Sequence, residues 1–95
     1  MSELPPGLVA YSRSPEFDQD TLPAALQRDH STKSGTWALI HVLEGKLRYR
    51  IHEPPSETVL EPGKPGVVRP EQVHEVHPIG PIRMFVEFFR AEGTS

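Results

Sequence analysis

Apolar and polar positions alternate with a period of two over several short stretches, the mark of half-buried strands. Leu47, Tyr49 and Ile51 alternate with Lys46, Arg48 and Arg50, which predicts an antiparallel strand with a basic outer face. Residues 37 to 42 (Trp-Ala-Leu-Ile-His-Val) are β-rich and apolar at both parities, so they predict a central strand covered on both sides. Between them Glu44-Gly45 reads as a tight hairpin turn, with glycine supplying a positive φ. Leu26, Arg28 and His30 share one face of a further expected strand that ends near Ser31. Thr58 to Leu60 and Val67 to Arg69 read as short strands joined by a double turn. The longest run, Ile82 to Phe89, holds three of the four phenylalanines, and residues 76–81 before it read as a turn. The helix candidate is a single turn around Asp18 to Leu22. The expected core is Trp37, Leu39, Tyr49 and Phe85 with Phe88 or Phe89.

Composition sharpens this picture. Eleven prolines and seven glycines among 95 residues divide the chain into short gaps that suit strands and exclude long helices. The expectation is one all-β domain over residues 1–95, its ordered part about 5–91, built as a sandwich or a barrel. A net charge of −3 opposes nucleic acid and anionic membrane as partners, since both need a clustered basic face. The absence of cysteine excludes disulfides, thiolate zinc sites and a cysteine nucleophile. No apolar run approaches the ~20 residues that span a bilayer, and the first residues lack the pattern of a signal peptide. A cytoplasmic location is expected. Phosphate-binding glycine motifs and the Gly-x-Ser-x-Gly elbow are missing as well.

Candidate chemistry therefore falls to five histidines and the carboxylates. The densest cluster runs from Pro70 to Pro78 and holds Glu71, His74, Glu75 and His77. Neutral imidazole is the commonest metal ligand. On a regular strand, however, His74 and His77 point to opposite faces, so sharing one ion requires a bulge or corner at Val76. His30 joins them only if the fold brings it opposite. His41 reads as a satisfied core histidine, His52 as solvent-exposed, and Lys33 as either an anion ligand or a solvated turn residue.

Three segments resemble one family. The run His30-Ser31-Thr32-Lys33-Ser34-Gly35-Thr36-Trp37 resembles the His-x-Thr-Lys-x-Gly-x-Trp signature of small cupins, found at the N-terminus of tellurite-resistance TehB methyltransferases and in stand-alone YeaR-like proteins. Val42 to Leu47 resembles the hairpin that many cupins share, and Pro70 with His74 resembles the second cupin motif. The resemblance implies a cupin-type jelly roll (a double-stranded β-helix) forming a single compact barrel with a pocket at one end. It implies a divalent metal (Zn, Fe, Ni or Mn) held by His30, His74 and His77, with Glu87 completing the set if its face of the last strand turns inward. The sequence departs from the family's pattern: it lacks the His-x-His pair, and Ala38 stands where a glutamate is usual. The implied function is a stress-linked metal-binding or accessory module that takes a small molecule or an oxyanion. The alternative is a metal-dependent oxygenase, isomerase or hydrolase. The chain ends at Ser95, so methyl transfer is not the expected activity. A homodimer is expected, since a twin covers an edge strand.

Overall fold

The computed structural model describes residues 4–28 and 30–91. Six strands follow in order: β1 (Leu8–Arg13), β2 (Phe17–Asp18), β3 (Trp37–Ile51), β4 (Ser56–Leu60), β5 (Gly66–Val68) and β6 (His74–Ala91). A 3-10 turn at Ala24–Gln27 lies between β2 and β3. Every strand pairing is antiparallel. The sheet runs β1-β6-β3-β4, with β2 added to β6 and β5 to β3. The all-β expectation holds. The path β1 to β4 has two ends, so the sheet curls around its core without closing, and the closed barrel is corrected to an open one. No described helix is long and apolar enough to cross a membrane.

Two long strands replace several expected short ones. β3 pairs with β6 in two blocks, Trp37 to Val42 against Met84 to Phe89 and Lys46 to Ile51 against His74 to Ile79. The register shifts between them, around Glu44. The expected hairpin at Glu44-Gly45 is therefore a β-bulge that bends one continuous strand. Gly45 has the positive φ anticipated, +79°, but spends it on the bend instead of on chain reversal. Residues 76–81 likewise stay within β6. Pro81 lies opposite the bulge, where the ladder is already interrupted and the missing N–H costs little.

The bulge decides which side chains face inward. Ahead of it Ala38, Ile40 and Val42 are buried; after it Leu47 and Tyr49 are. One extra residue switches the inward parity from even to odd. β6 carries no net switch, so His74, Val76, Ile82 and Met84 all share the inner face. Leu22, Leu60 and Val68 complete the core. This corrects the expected core list. Tyr49 is buried, whereas Trp37, Leu39, Phe85, Phe88 and Phe89 are only half-buried. Trp37, Leu39 and His41 lie on the outer face, paired across the ladder with Phe89, Glu87 and Phe85.

The expected strand through Leu26, Arg28 and His30 does not form. Pro23 opens the 3-10 turn, and His30 instead meets β6 through an isolated bridge to His74. The turn at Asp18 is present: its Oδ1 accepts the N–H groups of Asp20 and Thr21 at 2.8 and 2.9 Å.

Candidate functional site

The inner face of the curled sheet lines a partly open cavity of about 290 Å³. Its wall is mostly hydrocarbon, from residues such as Ala38, Ile40, Val76, Met84 and Phe88, with His30 and His74 as its imidazoles. Two backbone hydrogen bonds at 2.8 Å, one in each direction, clamp His30 to His74. Their rings meet edge to face with centroids 5.3 Å apart, and the ring of Tyr49 sits 5.9 Å from that of His74. The Tyr49 hydroxyl donates to the Val67 carbonyl at 2.7 Å, tying β3 to β5 beside the site. Burial pushes this phenol up to about 12, against the opposing pull of Arg69.

Burial favours the neutral form of both imidazoles. Burial pushes His30 below the ordinary histidine value. It does the same to His74, which is 4% exposed, against the partly compensating bond to Gln72. His74 Nδ1 lies 2.9 Å from the Gln72 carbonyl. A carbonyl only accepts, so Nδ1 carries the proton and Nε2 keeps its lone pair. Nδ1 of His30 is shielded from solvent and has no hydrogen-bond partner among the described residues. An unmet buried polar atom of this kind costs about 1–3 kcal/mol, which a ligand group or water would recover.

The remaining expected ligands lie elsewhere. β6 runs regularly through Val76, so His77 takes the outer parity, opposite to His74. There its Nε2 sits 3.5 Å from Glu75, which is also approached by His52 at 3.5 Å and by Arg50 at 3.4 Å. Burial raises the Glu75 carboxyl, but His52, His77 and Arg50 together outweigh this and hold it below the usual value. Glu87 is outward too, 2.9 Å from His41 Nε2, while the His41 ring stacks on Phe85 with centroids 4.7 Å apart. His41 is thus satisfied, as expected, but on the outer face and not in the core.

The cavity accordingly brings two of the four expected metal ligands together. No group of three or more His, Asp or Glu side chains among the described residues is placed to hold a metal ion. Structural and catalytic zinc centres use at least three protein ligands. His30 and His74 alone do not make up the three-ligand set implied by the cupin resemblance. Missed by sequence reasoning were the cavity walls at Ala38, Val86 and Phe88. The even-numbered positions of β6 from His74 to Phe88 carried the signal, hidden by reading residues 76–81 as a turn.

Comparison with known proteins places this geometry in a family. The pattern of the TehB-like domain matches residues 12–86. The chain belongs to the TehB-like family. It is 43% identical over 42 residues to the probable S-adenosyl-L-methionine-dependent methyltransferase TehB of Haemophilus influenzae Rd, a match covering 44% of this chain and 15% of that protein. The TehB crystal structure from H. influenzae superposes with a TM-score of 0.81 at 28% identity, covering 90% of this chain and 32% of that one. The TehB-like chain thus spans about a third of the TehB crystal chain. An Escherichia coli K12 protein matches end to end, with a TM-score of 0.87 at 22% identity over 96% and 98% of the two chains. The FeII form of HppE shares the fold more distantly, with a TM-score of 0.59 at 19% identity over 88% of this chain and 43% of that one.

Proposed function

We propose that this TehB-like domain is a binding module for a compact, mainly apolar molecule, seated in the cavity with a polar group at the His30–His74 end. The observation that carries this is a hydrocarbon pocket with two imidazoles at one end, one of them with an unmet ring nitrogen. An inorganic oxyanion is a poor occupant, because an ion stripped of water finds no charge among the described residues of this wall to offset its desolvation. Benzene fills an engineered cavity of about 150 Å³, so about 290 Å³ takes a molecule of roughly twelve non-hydrogen atoms. Such a module would serve chemistry performed elsewhere by supplying or sensing the bound molecule.

The test is a titration with 1-octanol, followed by backbone amide NMR and by thermal unfolding. Binding should move the amides of Ala38, Val76 and Val86. At ten times Kd it should stabilise the fold by about 1.4 kcal/mol, or roughly 6–11 °C for a domain of this size. Ala38→Leu and Val86→Phe, which fill the cavity, should abolish the effect. No shift at any of these amides would refute the reading. A stoichiometric zinc- or iron-induced shift centred on His30 and His74 would replace it with a metal site.

A further inference from the structure

Of the Thr-Lys-x-Gly-x-Trp part of the motif, Thr32 touches the cavity wall, while Lys33, Gly35 and Trp37 do not line it. This part builds a loop on the far side of His30. The Thr32 hydroxyl donates to the Thr36 carbonyl at 2.9 Å and reaches the Arg69 carbonyl at 3.3 Å. Thr36 N–H donates to the Lys33 carbonyl at 3.0 Å, and Glu71 N–H to the Thr32 carbonyl at 3.2 Å. Gly35 makes the turn possible, with φ +79° and open space around its α-carbon. The loop is closed on itself and tied to residues 69–71, so it presents its side chains from a fixed frame.

Those side chains line a second depression of about 300 Å³. It adjoins the cavity: His30, Thr32 and Phe88 belong to both walls. The outer wall is the more polar of the two: beside Tyr11 and Phe88 it gathers the hydroxyl residues Ser12, Ser31, Thr32 and Thr36 around Lys33, whereas the inner wall is almost wholly hydrocarbon. Among the described residues Lys33 is the outer wall's one formally charged side chain, and none of those that line it is acidic. Among the described residues Lys33 forms no ion pair with a carboxylate.

We infer that the ligand is an amphipathic organic acid, its apolar body in the cavity and its carboxylate in the outer depression on Lys33 and the loop hydroxyls. This rests on the cavity reading above and adds the chemical class. A neutral molecule satisfies the inner site alone; a chain ending in an anion satisfies both. Arginine and lysine contacts to carboxylates are charge-assisted and stronger than neutral hydrogen bonds. A partly exposed pair is screened by salt. The loop is ordered before binding, so little entropy is lost in meeting the headgroup.

The experiment compares octanoate with 1-octanol, at pH 7.5, by calorimetry and amide NMR on the full chain. Octanoate should bind about tenfold tighter and should move the amides of Lys33 to Thr36, which 1-octanol leaves in place. Lys33→Gln should erase that tenfold advantage and leave 1-octanol binding unchanged; Lys33 is exposed, so the variant folds. Raising NaCl from 50 to 500 mM should erase most of it too. If 1-octanol binds and octanoate gains nothing, or if Lys33→Gln leaves the ratio intact, the inference fails while the cavity reading stands. If neither probe binds, both fail.

Discussion

Replacing Gly45 with alanine tests the bend on which the whole inner face depends. Gly45 sits in the β3 bulge at φ +79°. An added β-carbon would collide with the Pro81 carbonyl oxygen and lie 3.1 Å from Ile82 Cγ2. Two costs combine. An L-residue in the left-handed region costs about 1–2 kcal/mol. Overpacking against neighbours that must move costs about 1–3 kcal/mol more. The sum, about 2–5 kcal/mol, is a large fraction of the 5–15 kcal/mol that stabilises a typical domain. Gly80 and Gly63 supply controls, since their φ values are +75° and +86° and nothing lies within 4 Å of the added carbon. Gly80→Ala and Gly63→Ala should therefore show the backbone cost alone, about 1–2 kcal/mol. Urea unfolding followed by tryptophan fluorescence and circular dichroism measures all three, with m-values compared to confirm that the denatured state is unchanged. If Gly45→Ala costs no more than Gly80→Ala, the close approach of the bulge to β6 is wrong, and the parity switch that places the cavity walls goes with it.

Other expectations follow from the same geometry. Burial lowers the His30 and His74 values below the ordinary 6.5, so the unfolded chain takes up protons first. Stability is then full above pH 6.5 and is lost as pH falls below it. His74→Gln should flatten that slope, and an unchanged slope would refute the burial argument; Glu75 and Asp18 act lower, below about pH 4.5. Leu47→Ala, at 0% exposure, should cost about 3–5 kcal/mol. Trp37→Ala, half-buried on the outer face, should cost about 1–3 kcal/mol, below the range for a core aromatic. The outer face of Trp37, Leu39, Phe85 and Phe89, with Arg13 stacked 4.8 Å over Phe85, has the aromatic and arginine composition of an interface. Light scattering at 50 µM should give twice the 10.7 kDa chain mass; the single mass would retire the homodimer.

Much of the architecture is legible in the residues, and the failures share a physical cause. Leu47, Tyr49 and Ile51 announce their strand and its inner face because Lys46, Arg48 and Arg50 mark the other side. Trp37 to Val42 offers no such contrast. With both parities apolar, the pattern does not say which face is inner; Trp37, expected in the core, lies on the outer face, and the small Ala38 lines the cavity. Local signals at Gly45 and Pro81 correctly mark unusual backbone, but a bulge and a hairpin share them. Only long-range pairing between β3 and β6 separates the two. The histidines divide the same way. His30 and His74 meet because the fold places a bridge between them, which no spacing encodes. The separation of His74 from His77 was readable, since an odd spacing on a regular strand puts them on opposite faces.

The central claim is an apolar cavity with two imidazoles at one end, and a xenon-pressurised crystal tests it most directly. Xenon enters apolar cavities and is excluded from hydrated polar ones. The account predicts an anomalous peak in van der Waals contact with Ala38, Val76 and Phe88, beside His30 and His74. A metal peak about 2.1 Å from both imidazoles, or ordered water filling the space, would contradict it.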